Sequence, residues 1–179
     1  AACGVLEVPV AVSAEVLSEF QGIGRRLEVV GQVNGVTVID DFAHNPDKIS
    51  ASLSALKIFP GRLLVMFQPH GFGPTRFLQD GLIEAFATGL GKSDVLAMPE
   101  IFYAGGTAQK DISARDLIEA IGARGRQTEF IEERALIAQR FADLSRSGDR
   151  VVVMGARDDT LAVFAQEILK LIAMKMGGV

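Results

Sequence analysis

The sequence predicts an α/β fold: a Rossmann-like, doubly wound sheet of about six strands, mostly parallel with one antiparallel edge strand. Apolar, β-branched runs alternate with segments of helical periodicity along most of the chain, as in proteins that cross over between parallel strands. Residues 63–67 and 151–154 are almost continuously apolar, which is typical of parallel strands buried on both faces. Asn34-Gly35 separates two apolar runs and is a strong hairpin signal, so it places the antiparallel pair early in the chain.

The individual elements follow from this alternation. The predicted strands are residues 27–33, 36–39, 62–67, 94–98, 128–131 and 150–154. The predicted helices are residues 14–20, 48–59, 76–90, a segment that begins at Ser113, residues 132–144 and residues 160–174. Ser13 is a suitable cap for the first helix, and Asn45 with Pro46 suits the start of the second. Ser113 with Asp116 resembles a capping box.

Composition restricts the class of protein. A chain of 179 residues with 49% hydrophobic and 22% charged residues can form one core with a short appendage. The net charge of −4 argues against a nucleic-acid binder, and no apolar run reaches the roughly 20 residues of a membrane helix. A single cysteine, Cys3, excludes an intrachain disulfide and fits a reducing cytoplasm. No signal peptide is visible, so we expect a cytoplasmic protein with neither nucleic acid nor membrane as partner.

Polar residues follow the predicted strands. The four strand-end loops are residues 40–46, 68–76, 100–110 and 155–159, and they should share one edge of the sheet because parallel strands point the same way. Both histidines of the chain, His44 and His70, fall in these loops. We expect Asp41 to lie in an exposed loop here. For any single loop, an ordinary turn is the alternative interpretation.

Two possible ligand sites can be judged from residue spacing. His44, His70 and Asp40 or Asp41 are suitable zinc ligands, but they include no close-spaced pair, so we predict no metal held by the protein. Residues 89–93 (Gly-Leu-Gly-Lys-Ser) suggest a phosphate loop, but they end a predicted helix and lead into a strand, which is the reverse of the required order. We interpret them as a helix end with Lys92 near its negative pole.

Two pairs of residues suit anion binding. Arg25-Arg26 presents two guanidinium groups just after Gly22 and Gly24, which would permit a hinge. A surface pair that starts a strand is the alternative interpretation. Thr75-Arg76 lies at a predicted helix start, where backbone N–H groups attract anions.

Four segments together resemble a known family. They are residues 20–28 (FQGIGRRLE), residues 40–46 (DDFAHNP), residues 67–70 (FQPH) with Thr75-Arg76, and Gly148-Asp149 with Met154-Gly155-Ala156. In this order they resemble the C-terminal domain of the Mur ligases, the ATP-dependent amide-forming enzymes of peptidoglycan synthesis. The resemblance covers the chain from about residue 13 onward.

The resemblance implies that the chain is one part of a three-domain enzyme. Residues 1–24 would be the connector, or hinge, from a central ATPase domain, and residues 25–179 would be the C-terminal domain that closes over ATP and the amino acid. The central domain would carry the phosphate loop and hold most of the Mg²⁺. The implied reaction joins an amino acid, L-alanine, to a UDP-N-acetylmuramate-type nucleotide sugar through an acyl phosphate. The isolated fragment is then expected to be inactive.

The resemblance also implies residue roles. Asp41 would hold the ribose of ATP, Arg25 or Arg26 would contact its phosphates, and Asn45 would belong to the same cofactor site. His44, His70 and Arg76 would be catalytic. Thr75, His70 and Arg76 would bind substrate.

Three alternatives remain open. One is another Mur-like ligase, because a run like Ala43-His44-Asn45-Pro46 also occurs in folylpolyglutamate synthases and related ligases. Phe42-Ala43 is more typical of the ligase that recycles murein tripeptide, although that relative lacks the run Phe67-Gln68-Pro69-His70. An alternative from another class is a non-catalytic nucleotide-binding module, which needs only the strand-end loops.

Overall fold

Six strands form a single sheet in the computed structural model, which describes residues 6–20 and 22–176. They are β1 (Glu28–Val33), β2 (Val36–Asp41), β3 (Leu63–Gln68), β4 (Val95–Met98), β5 (Gln127–Phe130) and β6 (Arg150–Gly155). The order across the sheet is β1-β2-β6-β3-β4-β5, with β1 antiparallel to β2 and the other neighbours parallel. The predicted fold class is therefore confirmed. The first five residues of the predicted connector, and Gln21, lie outside the described residues.

Helices cover both faces of the sheet. They are α1 (Val10–Glu19), α2 (Pro46–Leu56), α3 (Phe72–Gly89), α4 (Ala114–Ala123), α5 (Arg134–Leu144) and α6 (Thr160–Met176). One apolar core lies between the sheet and α2, α3 and α4, and a second lies between the sheet and α5 and α6. Strand residues alternate between the two cores, so that Val65 and Phe67 face the first and Leu64 and Met66 face the second. None of the described helices is long and apolar enough to cross a membrane.

Most local signals have the predicted effect. Asn34 and Gly35 both adopt positive φ, 51° and 76°, as the tight hairpin turn between β1 and β2 requires. The Asn45 side chain caps α2 by accepting a hydrogen bond from the Lys48 N–H at 3.0 Å. Ser113 and Asp116 form the capping box of α4. Residues 89–93 end α3 and lead into β4, as predicted.

Two helices begin about one turn earlier than predicted. Helix α1 begins at Val10, so Ser13 is not its cap, and the Ser13 hydroxyl donates instead to the Pro9 carbonyl one turn earlier. Helix α3 begins at Phe72 because Pro74 falls in the first turn, where a missing N–H costs no helical hydrogen bond. Thr75 and Arg76 therefore lie inside a helix that begins one turn before the predicted start.

The loop that carries His44 is positioned by close packing of α2 on α3. A Cβ atom on Gly81 would lie only 2.7 Å from Cγ of Pro46, the first residue of α2. Glycine at this point lets the two helices approach until the proline ring contacts the α3 backbone. The contact fixes the start of α2 and the loop that precedes it.

We expect Gly81→Ala to lower the free energy of unfolding by about 1–3 kcal/mol, because the added methyl group forces a rigid ring to move. Gly73→Ala is the matched control in the same helix, since its Cβ would meet nothing within 4 Å. That change should be neutral or should stabilise the fold by up to about 1 kcal/mol. Urea unfolding of both variants would test the close approach, and equal effects would contradict it.

Candidate functional site

Three strand-end loops meet at one edge of the sheet. Strand β6 lies between β2 and β3, with Met154 opposite Asp41 and Gly155 opposite Gln68, so the chain that follows each strand emerges beside the others. The loop after β4 joins them, because Gln68 donates to the Glu100 carbonyl at 2.8 Å and the Gly71 N–H donates to the Phe102 carbonyl at 2.8 Å. The predicted convergence of the four loops is confirmed.

The two histidines share a cleft of about 230 Å³, called here the histidine cleft. Its lining residues are His44, Phe67, Pro69, His70, Pro74, Thr75, Leu78, Leu82 and Arg157. The two imidazole centroids are 5.9 Å apart at an interplanar angle of 66°. Thr75 is buried and lines the same cleft. The structure thus brings together three of the residues singled out from the sequence, from loops that follow two different strands.

The two imidazoles differ in their surroundings. Nδ1 of His44 lies 2.9 Å from the Phe42 carbonyl oxygen. Because a carbonyl oxygen only accepts, Nδ1 carries the hydrogen and Nε2 is left as the acceptor in the neutral ring. Burial lowers the pKa of His70 below 6.5, and the charges of His44 and Arg157 lower it further. His70 is therefore neutral at neutral pH, and its imidazole can accept a proton.

Asp41 lies in a second cleft, also of about 230 Å³, called here the aspartate cleft. Its lining residues are Arg26, Leu27, Asp41, Ala43, Lys48, Ala51 and Ser52. One Asp41 oxygen accepts from the Leu27 N–H at 3.3 Å and the other from the Ser52 hydroxyl at 2.5 Å. The expectation of an exposed loop is wrong, because β2 continues to Asp41 and the residue is only 3% exposed.

Arg25 and Arg26 have different environments. Nε of Arg25 lies 3.1 Å from Oδ2 of the buried Asp40, and Nη2 donates to the Gly155 carbonyl at 3.1 Å. Burial raises the pKa of Asp40, while the Arg25 guanidinium opposes that shift. Arg26 is exposed, and within the described residues its guanidinium makes no hydrogen bond or ion pair. Both guanidinium groups lie over the Phe42 ring, at 5.1 and 5.0 Å.

Comparison with known proteins identifies the family. The family model described as "Mur ligase, glutamate ligase domain" matches residues 25–157. This chain belongs to the Mur ligase family. A UDP-N-acetylmuramate–L-alanine ligase from Desulfotalea psychrophila is 39% identical over 173 residues, which are 95% of this chain and 36% of that protein. The chain spans about a third of the length of the curated relatives that it matches.

Solved structures share the fold of this Mur ligase domain. The UDP-N-acetylmuramate–alanine ligase of Thermotoga maritima superposes with a TM-score of 0.68 at 22% identity, over 94% of this chain and 34% of that one. A MurF ligase from Thermotoga maritima in complex with ADP superposes with a TM-score of 0.57 at 18% identity, over 90% of this chain and 33% of that one. At these identities the likeness concerns the fold.

The Mur ligase domain does not bring Arg76 to the histidines. Successive helical residues point about 100° apart. Since Thr75 faces the histidine cleft, Arg76 faces outward, where it pairs with Asp111 and donates to the Gln109 carbonyl at 3.2 Å. The cause is the earlier start of α3, which puts both residues in one regular turn. Asn45 likewise has its side-chain oxygen engaged as the cap of α2.

Arg157 is the lining residue that the sequence did not single out. It follows β6, is exposed, and holds a backbone φ of 63°, which is uncommon for a side chain of this size. Within the described residues it makes no hydrogen bond or ion pair. The signal available from sequence was its place one residue beyond Gly155-Ala156 at a strand end. Among residues 6–20 and 22–176, no three His, Cys, Asp or Glu residues are grouped so that they could hold a metal ion.

We expect an NMR titration of this domain to give His70 a midpoint below 6.5, because burial disfavours the imidazolium. His70 therefore binds a proton more readily in the unfolded chain than in the folded one. The free energy of unfolding should fall as pH drops from 6.5 toward the pKa of His70 in the folded domain. His70→Gln should remove that part of the pH dependence in thermal unfolding. A His70 midpoint at or above the ordinary value would contradict the burial of its imidazole.

We expect Arg25→Gln to destabilise the domain by about 1–3 kcal/mol, because Asp40 would keep a buried carboxylate without its cation. Arg26→Gln is the matched control and should cost less than about 0.5 kcal/mol, since its guanidinium lies on the surface. Urea unfolding of both variants measures the difference. Equal losses would show that the two arginines are equivalent in the fold.

Proposed function

We propose that this chain is the C-terminal domain of an ATP-dependent, ADP-forming ligase that joins L-alanine to UDP-N-acetylmuramate in peptidoglycan synthesis. Family membership supports the proposal, as do relatives of that name at 38–39% identity. The observation that carries it is that four successive residues at the end of β2 line both clefts, with Asp41 and Ala43 in the aspartate cleft and His44 in the histidine cleft. A nucleotide and an amine could then be held at the same sheet edge.

The proposed reaction has two steps. The substrate carboxylate attacks the γ-phosphorus of ATP, which gives an acyl phosphate and ADP. The amine nitrogen of the amino acid then attacks the acyl carbon, and phosphate leaves with the electrons of the broken C–O bond. The attacking amine loses a proton, and the neutral imidazole of His70 is suited to accept it. Closure of the domain would keep water from the acyl phosphate.

The aspartate cleft has groups suited to a nucleotide. The Asp41 oxygens each accept one hydrogen bond within the fold and keep lone pairs for ribose hydroxyls. Arg26 and Lys48 are exposed cations on the same cleft and suit phosphate oxygens. The Asn45 side-chain oxygen caps α2, so its amide nitrogen remains as a donor at the start of that helix. As the family resemblance implies, the Mg²⁺ of ATP would be held mainly by the central domain.

The histidine cleft has groups suited to the amino acid. His44, His70 and Thr75 supply polar atoms around an apolar floor of Phe67, Leu78 and Leu82. A role for Arg76 in this cleft requires that its ion pair with Asp111 open first. ATP as a substrate fits the cytoplasmic location expected from the sequence.

Phosphate release by the full-length parent protein tests the proposal. UDP-N-acetylmuramate with L-alanine should support release, and omission of either substrate should abolish it. Release that requires murein tripeptide in place of L-alanine would favour the recycling ligase. No ATP turnover with any pair would favour a non-catalytic nucleotide-binding module.

In the full-length enzyme, we expect Asp41→Ala to raise the KM for ATP by about ten- to a hundredfold, because charged hydrogen bonds to the ribose are lost. The KM for L-alanine should change less. The buried carboxylate also holds Leu27 and Ser52, so the free energy of unfolding should fall by about 1–3 kcal/mol. Ser52→Ala is the control that removes one internal partner and keeps the carboxylate.

The analogue 2′,3′-dideoxy-ATP separates the two roles of Asp41. It has no ribose hydroxyls to lose, so wild type and Asp41→Ala should use it with similar KM. If the mutant shows its full penalty with this analogue, Asp41 acts by shaping the loop and is not the ribose ligand.

A further inference from the structure

Among the described residues that line the histidine cleft, Arg157 is the one permanent cation. The lining residues include two histidines and Arg157, and the remainder are uncharged. His70 is not a permanent cation, because burial and neighbouring charges lower its pKa. Arg76, expected here from the sequence, is paired with Asp111 outside the cleft. An anionic group that enters this cleft therefore meets the Arg157 guanidinium as its main source of positive charge.

The Arg157 guanidinium is available for a ligand. Within the described residues it has no hydrogen-bond or ion-pair partner. The neighbouring Asp158 is committed elsewhere, to Arg134 at 2.6 Å and to the Thr160 N–H at 2.9 Å. Asp159 lines an adjacent cleft with Arg157 but forms no ion pair with it. A long cationic side chain thus lines the cleft without a hydrogen bond or ion pair to the described part of the domain.

The backbone at Arg157 also favours a functional interpretation. A φ of 63° places an arginine in the left-handed region, which costs free energy for any residue with a Cβ. Strained residues of this kind cluster where a side chain must be aimed at a ligand. Backbone strain alone does not identify a ligand-binding residue. Here, however, the strained residue is Arg157, the cation that lines the histidine cleft.

The remaining lining residues match an amino acid with a small apolar side chain. A guanidinium binds a carboxylate through two parallel hydrogen bonds. The Thr75 hydroxyl and the neutral His70 can contact the amine end, and Phe67, Leu78 and Leu82 form a floor for an aliphatic group. The volume of about 230 Å³ is sufficient for a small amino acid.

We propose that Arg157 binds the α-carboxylate of the incoming amino acid in the histidine cleft and is a specificity-determining residue of the ligase. The inference rests on the proposed function. It requires the amino acid to lie with its carboxylate toward the loop after β6 and its amine toward His70. Arg157 then selects for a free carboxylate.

The test compares L-alanine with L-alaninamide, which lacks the carboxylate, in the full-length enzyme. Arg157→Gln should raise the KM for L-alanine about ten- to a hundredfold, and Arg157→Lys should restore part of the loss. The KM values for ATP and UDP-N-acetylmuramate should stay within about twofold. For L-alaninamide, the KM, or the inhibition constant if it acts only as a competitive inhibitor, should be the same for wild type and Arg157→Gln.

Two further variants separate ligand binding from structure. Arg124→Gln removes an exposed arginine on the far side of the domain, paired with Glu84, and should leave all KM values unchanged. Arg157→Gly relieves the left-handed backbone, so it should raise Tm while it loses L-alanine affinity. A fall in Tm with an unchanged KM would give Arg157 a structural role and overturn the proposal.

The outcomes distinguish this inference from the function on which it rests. Wild-type turnover with L-alanine, together with an unchanged KM for L-alanine in Arg157→Gln, would overturn the inference and leave the ligase function intact. An equal loss of affinity for L-alanine and L-alaninamide would also overturn it. Absence of turnover by wild type with any amino acid would refute the proposed function, and the inference with it.

Discussion

Hydrogen bonding of β6 to β2 on one side and to β3 on the other is the constraint on which the candidate site depends. The last strand of the chain lies at the middle of the sheet, so its end is placed between the loops that carry His44 and His70. Arg150 secures the opposite end of β6, because its buried guanidinium donates to the carbonyl oxygens of Phe59 and Gly61 after α2. Together with the contact at the start of α2, this holds the helix at both ends.

Two adjacent carboxylates at the end of β2 have different environments because neighbouring strand residues face opposite sides of the sheet. Asp40 and Asp41 are both buried. Asp40 faces the side of α5 and α6 and is neutralised by Arg25, which also binds the Gly155 carbonyl at the end of β6. Asp41 faces α2 and receives only neutral donors, so its charge remains available at a cleft. Alternation therefore pairs the first carboxylate with Arg25 and directs the second toward the aspartate cleft, where we propose that it binds the ribose.

The sequence was sufficient where a signal depends on local chemistry or on strand direction. Asn34-Gly35 fixes a hairpin by its φ preference, and the meeting of His44 with His70 follows from parallel strands ending at one edge. The sequence was not sufficient to predict a side chain's direction where that direction depends on the exact first or last residue of a helix or strand. Helix α3 starts one turn early, which turns Arg76 away, and β2 continues past its apolar run because two polar residues find partners. The position of Arg157 at the cleft could not be predicted, because no local sequence pattern indicates that its backbone adopts a positive φ.

The arrangement of charges at this edge couples ligand binding to proton affinity. The positive charge of Arg157 is one of the causes that lower the pKa of His70, after burial and the charge of His44. A carboxylate seated on Arg157 would offset that charge and raise the proton affinity of His70. The same substrate that brings an amine to the cleft would then make His70 a stronger base at the moment when that amine must lose a proton. By linkage, a protonated His70 would in turn favour the bound carboxylate, so the two events would support each other in either order.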